Sequence, residues 1–402
     1  MNPPDTPVPP APRVQSVDAL RGFDMLWIAG ADSFVYALEK MSATQGLANQ
    51  LRHAEWAGFR FYDLIFPLFL FLVGVSIVFS LTRLVEREGV AAAHGRVFRR
   101  FLLLFAIALL YSGGFSKEWP DIRLLGVLNR IALCYLFASV LFLHLRPRGL
   151  VAACVGLLVG YWALMTFVPF PDLRPVDAGG KVVSAELTVG DTAKLNWAST
   201  NQLCGVFEPG LNLANYLDQK FLPGKKWDGT WDPEGLLSTL PAVATTLLGI
   251  FAGLLLRNPR LSEQRKVHWL LGAGLAGVVL GFLWGLQFPV IKKIWTSSYV
   301  LVAGGYSAVL LAVFHQTIEI WQRRKWAQMF LWVGANAITI YLLNNLISYH
   351  RVATRFAGGD VSNWLDAHLT NGAGELLIAI IALFLAIAVA RFLYVRKIFL
   401  RL

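Results

Sequence analysis

The apolar residues of this chain fall in long unbroken runs, and the polar residues collect in the gaps between them. A helix needs roughly 20 apolar residues to cross a bilayer. Lipid offers no partner to a backbone N–H or C=O, so such runs predict helices. Segments at 19–39, 60–82, 98–113, 123–145, 150–168, 235–256, 267–286, 297–320, 328–348 and 374–395 read as about ten spans. They are too long, and alternate too weakly, for the strands of a transmembrane barrel. The expected fold class is an all-α polytopic membrane protein, with a disordered tail at 1–15 and a single transmembrane domain at 16–402. The interval 170–232 is the one long hydrophilic stretch and reads as an extramembrane loop. The first apolar segment carries aspartates and lacks a small-residue cleavage site, so it reads as a retained helix. No convincing internal repeat is visible, which weakens an inverted-repeat transporter reading.

Composition agrees, with 56% hydrophobic and 15% charged residues. A net charge of +11 would suggest nucleic acid in a soluble protein. Here the basic residues sit in short loops at 83–100, 146–148, 257–266, 323–325 and 396–401, and no nucleic-acid partner is expected. About ten spans place both termini on one side, and the positive-inside rule makes that side cytoplasmic. The 170–232 loop and His53 then face the exterior. The 3 cysteines give no disulfide framework, and the histidines show no metal-ligand spacing, so neither a disulfide nor a metal is expected. His94, His144, His268, His315, His350 and His368 read as loop or interfacial residues.

An unpaired charge at mid-bilayer costs roughly 2.5–3.5 kcal/mol on insertion scales, so ionisable residues in or beside apolar segments mark candidate sites. In the first segment Asp18, Arg21 and Asp32 fall within roughly 60° of one helix face. Asp18 and Arg21 also fit a structural pair at the interface, whereas Asp32 lies deeper or nearer the far end. His53 precedes the second segment amid Glu55, Arg60 and Asp63, and Asp32 is placed to approach from the first helix. An isolated interfacial histidine needs no role, but a carboxylate partner orients an imidazole and raises its basicity. Asn129 and Arg130 open the fourth segment, and Asn336 marks the ninth. Interhelical hydrogen bonding is the usual role of such residues. Trp231, Asp232 and Glu234 bunch where the long loop re-enters the membrane; they suit a sugar or an amine, or a belt anchor. There is no Walker motif, dinucleotide glycine pattern or Gly-x-Ser-x-Gly elbow.

Several blocks, in order, resemble the heparan-α-glucosaminide N-acetyltransferase family of transmembrane acetyltransferases and its bacterial relatives. They are Ser16-Val17-Asp18-Ala19-Leu20-Arg21-Gly22; His53-Ala54-Glu55-Trp56 through Asp63-Leu64-Ile65-Phe66-Pro67; Gly126-Val127-Leu128-Asn129-Arg130; Trp231-Asp232-Pro233-Glu234-Gly235; Ile294-Trp295-Thr296-Ser297-Ser298-Tyr299; and Gly334-Ala335-Asn336-Ala337-Ile338. The resemblance implies transfer of acetyl from cytoplasmic acetyl-CoA to an exterior amino sugar, and it suggests a homodimer. The family's active histidine falls on His53. Its first-helix asparagine falls on Asp32, a departure, because aspartate carries charge and accepts a proton. The large luminal domain of the animal members has no counterpart here, so a bacterial inner membrane is the expected setting rather than a lysosome. A transporter or channel for a small polar solute is the alternative that the intramembrane charges motivate. A non-catalytic scaffold with helix-locking polar residues is a third.

Overall fold

The computed structural model describes residues 14–41, 44–176, 182 and 191–400, without the side chains of Ala31, Asp32 and Phe115. The chain is an all-α polytopic membrane protein. Its helices are α1 (Gln15–Lys40), α2 (Gln45–Gln50), α3 (Ile65–Tyr111), α4 (Val127–His144), α5 (Pro147–Phe167), α6 (Leu213–Phe221) and α7 (Thr239–Arg257). After these come α8 (Glu263–Gly285), α9 (Ser297–His315), α10 (Gln328–Ala335), α11 (Ala337–Ile347), α12 (Tyr349–Ala357), α13 (Asp360–His368) and α14 (Ala373–Val395). Among the described residues, 7 helices are long and apolar enough to cross a membrane, or 8 if the bent pair α10–α11 is one span.

Two local breaks and one polar helix relate these elements to the segments expected from the sequence. Helix α3 has 47 residues, about 70 Å if straight, more than twice a bilayer core. It is broken at Gly89, whose φ of 84° and ψ of 174° no helix contains. Beyond Gly89 the chain turns back: Arg96 shares a cavity with Ser76 and Ser80, and Arg100 and Leu104 share one with Phe69 and Val73. The segment expected at 98–113 is thus the returning limb of α3. Helices α10 and α11 meet at Asn336 with a bend of 77°. Helix α1 runs 26 residues, but its aspartates and Arg21 keep it from being uniformly apolar.

The apolar core lies among α1, α3, α4, α7 and α9. The most apolar window of α3 is 78% buried by protein, whereas that of α8 is 22% buried. Helix α8, like α5 and α14, therefore turns an apolar flank outward, as a lipid-facing helix does. Close crossings are made possible by glycine: a side chain at Gly22 or Gly334 would strike the backbone of the facing helix at Phe330 or Asp18, and Gly74 and Gly249 do the same for α3 against α7. The 170–232 segment carries a short antiparallel pair, β1 (Phe170–Pro171) and β2 (Gln202–Leu203), and α6. It packs on the ends of α5 and α8 through Tyr161, Met165, Phe170, Leu213, Phe288 and Ile294.

Candidate active site

His53 is held by the loop that follows α2. Trp56 anchors that loop by donating from Nε1 to the Phe207 carbonyl (2.7 Å) and by meeting Trp231 edge-on. Gly58 N–H donates to Val290 O at 2.8 Å, which ties the loop to the turn between α8 and α9. Asp63 is fully buried, and the chain wraps it: Ala54 N–H and Arg60 N–H donate to Oδ2 at 3.1 and 3.0 Å. Its carbonyl accepts from the Tyr299 hydroxyl at 2.8 Å. What remains is Oδ1, and it lies 2.8 Å from His53 Nδ1. A carboxylate only accepts, so Nδ1 carries a proton, and in the neutral ring Nε2 then holds the lone pair. Tyr62 stacks on the imidazole with centroids 4.6 Å apart. The ring is half exposed.

Lys292, in the turn between α8 and α9, completes the cluster. Its Nζ lies 2.8 Å from His53 Nδ1, 3.0 Å from Nε2 and 3.7 Å from Asp63 Oδ1. Burial pulls its pKa down from 10.5 to about 8, against the pull of Asp63 and Glu234. The turn that delivers it is strained, because Trp295 adopts φ of 52°, a region that costs a non-glycine residue on the order of 1 kcal/mol or more. Trp295 is fixed there by Nε1 donating to Thr245 Oγ1 at 3.1 Å and by the Arg130 guanidinium 5.0 Å over its ring.

Four cavities follow one another along α1. The first, about 500 Å³, is lined by Asp18, Arg21, Arg83, Arg87, Glu88 and Arg96 among others. Asp18 and Arg21 pair at 3.0 Å, and Arg21 also donates to Ser76 at 2.7 Å. The second, about 290 Å³, shares Arg21, Ser76, Ser80 and Ala335 with the first and is lined by the broken helix around Asn336. The third, about 520 Å³, shares Phe69, Leu128, Ile131 and Ile338 with the second and reaches His53, Tyr62, Glu234 and Lys292. The fourth, about 460 Å³, has Val35, Tyr36, Glu39, Arg52, His53 and Tyr62 in its wall. From Asp18 to Tyr36 is about 27 Å along a helix axis, close to a bilayer's hydrocarbon thickness. The arginine-lined end and the histidine end therefore lie near opposite ends of α1.

The structure unites some of the residues singled out from the sequence and separates others. His53 and Asp63 form the centre. Asp18 and Arg21 lie at the far end of the cavity series. Asn336 is buried at the α10–α11 break, and its side-chain amide has no hydrogen-bond partner among the described residues. Asn129 is likewise buried and unpartnered, so neither makes the interhelical bond that its type suggests. Arg130 donates to Gly235 O and Ser238 Oγ, joining α4 to α7. Asp232 accepts from Arg123 at 2.8 and 2.7 Å, and Glu234 at 2.6 Å. Burial also raises the Glu234 pKa. Trp231 is buried beneath this cluster. Glu55 is exposed and lines none of these cavities. The side chain of Asp32 lies outside the described residues. His315, expected at an interface, is buried and lies 2.8 Å from Glu263 and 3.2 Å from Ser16.

The histidine cluster and the cavity series set the geometry against which relatives can be weighed. Residues 13–184 match the family profile described as heparan-alpha-glucosaminide N-acetyltransferase, catalytic. The human protein named heparan-alpha-glucosaminide N-acetyltransferase is 26% identical over 376 residues, covering 82% of this chain and 52% of its own length. The mouse protein of that name is 24% identical over 442 residues, covering 98% of this chain and 61% of its own length. Together they support membership of that family. The chain spans roughly half to three-fifths of the length of these curated relatives. The matched span contains His53, Asp63, the arginines of the first cavity, α4 and α5; Lys292 lies beyond it. Sequence reasoning passed over Lys292. The available signal was a pair of lysines, Lys292 and Lys293, on the side that the positive-inside rule expects to be poor in them.

Proposed function

We propose that the chain is a transmembrane acetyltransferase that moves acetyl from acetyl-CoA to the amine of a glucosamine-type sugar on the other side of the membrane. In this reading the chain crosses the bilayer about ten times, with both termini and the arginine-lined cavity on the cytoplasmic side. The setting is a bacterial inner membrane, in line with the resemblance to bacterial relatives. The observation that carries the reading is the cavity series, which joins an arginine cluster to a carboxylate-oriented histidine near the opposite end of α1.

The linings fit the donor's parts. Arg21, Arg83, Arg87 and Arg96 line the first cavity with Asp18 and Glu88, an excess of positive charge suited to phosphates. Phe69, Leu104, Leu128, Ile131 and Ile338 give the second an apolar wall, with the Asn336 amide beside it. An apolar-walled volume with Asn336 in its lining suits an extended arm that carries its own amides. Acetyl-CoA supplies a thioester that an amine can attack.

At the histidine end the acceptor's ammonium must lose a proton before its nitrogen can attack. His53 Nε2 takes that proton, and Asp63 holds the tautomer and the ring orientation. The new C–N bond forms, the C–S bond breaks, the electron pair leaves as the CoA thiolate, and the surplus proton on the attacking nitrogen passes to that thiolate to give the free CoA thiol. Lys292 is placed to meet the negative charge that develops on the carbonyl oxygen. A transient acetyl group on His53 is a variant of the same scheme, and trapping of acetylated protein without acceptor under rapid quench distinguishes it. The reading is tested by transfer of labelled acetyl from acetyl-CoA to glucosamine by the purified protein. Transfer in wild type and its loss in His53→Ala support it. Absence of both acetyl-CoA binding and transfer overturns it in favour of solute transport.

A further inference from the structure

His53 and Tyr62 line two cavities at once. The third cavity continues toward the arginines. The fourth does not share its other walls with that series: it is bounded by the end of α1 and by the residue before His53, with Val35, Tyr36, Glu39, Leu51 and Arg52 around it. A two-substrate transfer needs two volumes that meet at the catalytic group. The donor volume is accounted for by the series along α1, so the volume on the far side of the shared residues is available to the acceptor.

The fourth cavity is built for such a ligand. Its floor is packed: α2 lies on α1, and Val35, Leu38, Ala48 and Leu51 pack together with Trp27 and Phe61. The Thr44 hydroxyl donates to Leu38 O at 2.7 Å and closes the C-terminal end of α1. On this floor stand an aromatic ring, Tyr36, half exposed with the Lys40 ammonium 4.2 Å over one face, and a carboxylate, Glu39, paired with Arg52. Arg52 is itself half exposed, so its hold on Glu39 is of the screened, exchangeable kind. Glu39, by contrast, is three-quarters covered, and a partly desolvated carboxylate favours a cationic hydrogen-bond donor. The carboxylates of the opposite rim, Asp232 and Glu234, are already committed to Arg123.

We propose that the cleft formed by Tyr36, Glu39 and Arg52 beside His53 is the acceptor site, and that it takes a cationic amino sugar with the ring against Tyr36 and its polar groups on Glu39. This rests on the acetyl-transfer reading. It separates the acceptor's determinants from the donor's, because the two linings meet at His53 and Tyr62.

The test uses the full-length protein with glucosamine and acetyl-CoA. Glu39→Gln and Tyr36→Ala should each raise KM for glucosamine about tenfold or more, as loss of a charge-assisted contact or a stacking face does. KM for acetyl-CoA should stay within about twofold. A binding measurement accompanies it: in a Cys204→Ser background, Tyr36→Cys should react with a thiosulfonate reagent, and glucosamine, but not CoA, should slow that reaction. Unchanged glucosamine KM in both variants, or a cysteine at position 36 that glucosamine does not protect, overturns the proposal while leaving the acetyltransferase reading in place. A wild-type protein that transfers no acetyl to glucosamine overturns both.

Discussion

Replacing Lys292 with methionine separates catalysis from stability in a way that a merely structural residue would not. The ammonium is buried beside His53, and its pKa falls from 10.5 to about 8. Each pKa unit is worth about 1.4 kcal/mol. Between those two values the unfolded chain holds a proton that the folded chain has released, so stability rises with pH across that window. Below about pH 8 both states are protonated and the fold bears the whole cost, on the order of 3 kcal/mol. Lys292→Met should therefore raise the thermal midpoint at pH 7, and the gain should shrink to under about 1 kcal/mol by pH 10. Activity should move the other way. Loss of a preorganised donor to a developing oxyanion costs about 10²–10³ in rate. The assay is kcat/KM for N-acetylglucosamine formation beside a thermal melt at each pH. Lys292→Arg, charged throughout, should lose any alkaline fall in rate near pH 8. A methionine variant with lower stability and lower activity together would make Lys292 a structural ion-pair partner and refute the reasoning.

Three further outcomes follow from the same geometry. Asp63→Asn should lower kcat/KM by roughly 10²-fold or more, because the buried carboxylate that selects the His53 tautomer is gone; a change under threefold in initial-rate kinetics would contradict this. Arg87→Ala, at the opposite end of the cavity series, should raise KM for acetyl-CoA several-fold, leave KM for glucosamine unchanged and flatten the salt dependence of acetyl-CoA binding. Asp218, buried in α6, has its pKa raised to about 7 by desolvation. That cost is absent below the unfolded value near 4 and complete above pH 7. Asp218→Asn should thus stabilise the protein by up to about 4 kcal/mol at pH 8 and by little at pH 4, as read by thermal melts.

The sequence made the apolar segments and their order legible because bilayer physics acts on runs of about 20 residues, a scale that a single chain displays. It did not show the Gly89 reversal inside α3 or the 77° break at Asn336. Both depend on one residue's backbone angles within otherwise helical text. At the site, the sequence sets Glu55, Arg60 and Asp63 around His53 but favours Asp32 as its carboxylate partner; that Asp63, 10 positions away, makes the contact depends on how the loop folds. Lys292 was not legible, because it arrives from a turn 239 positions away. From the sequence, Trp231, Asp232 and Glu234 suit a sugar, an amine or a belt anchor, and Glu234 does line the third cavity. The structure spends both carboxylates on Arg123, which sits 109 positions earlier than Asp232. The packing glycines Gly22 and Gly334 belong to blocks that resemble the acetyltransferase family, so part of that resemblance encodes a helix crossing rather than chemistry.

The most direct test places the two substrates on opposite sides of a bilayer. Protein oriented in liposomes would receive labelled acetyl-CoA on the arginine side and glucosamine on the side of the 170–232 loop, with His53→Ala liposomes in parallel. The account predicts labelled N-acetylglucosamine on the loop side with wild type and none with the variant. Product formed only when both substrates share one side, or glucosamine crossing without any CoA compound, would contradict it.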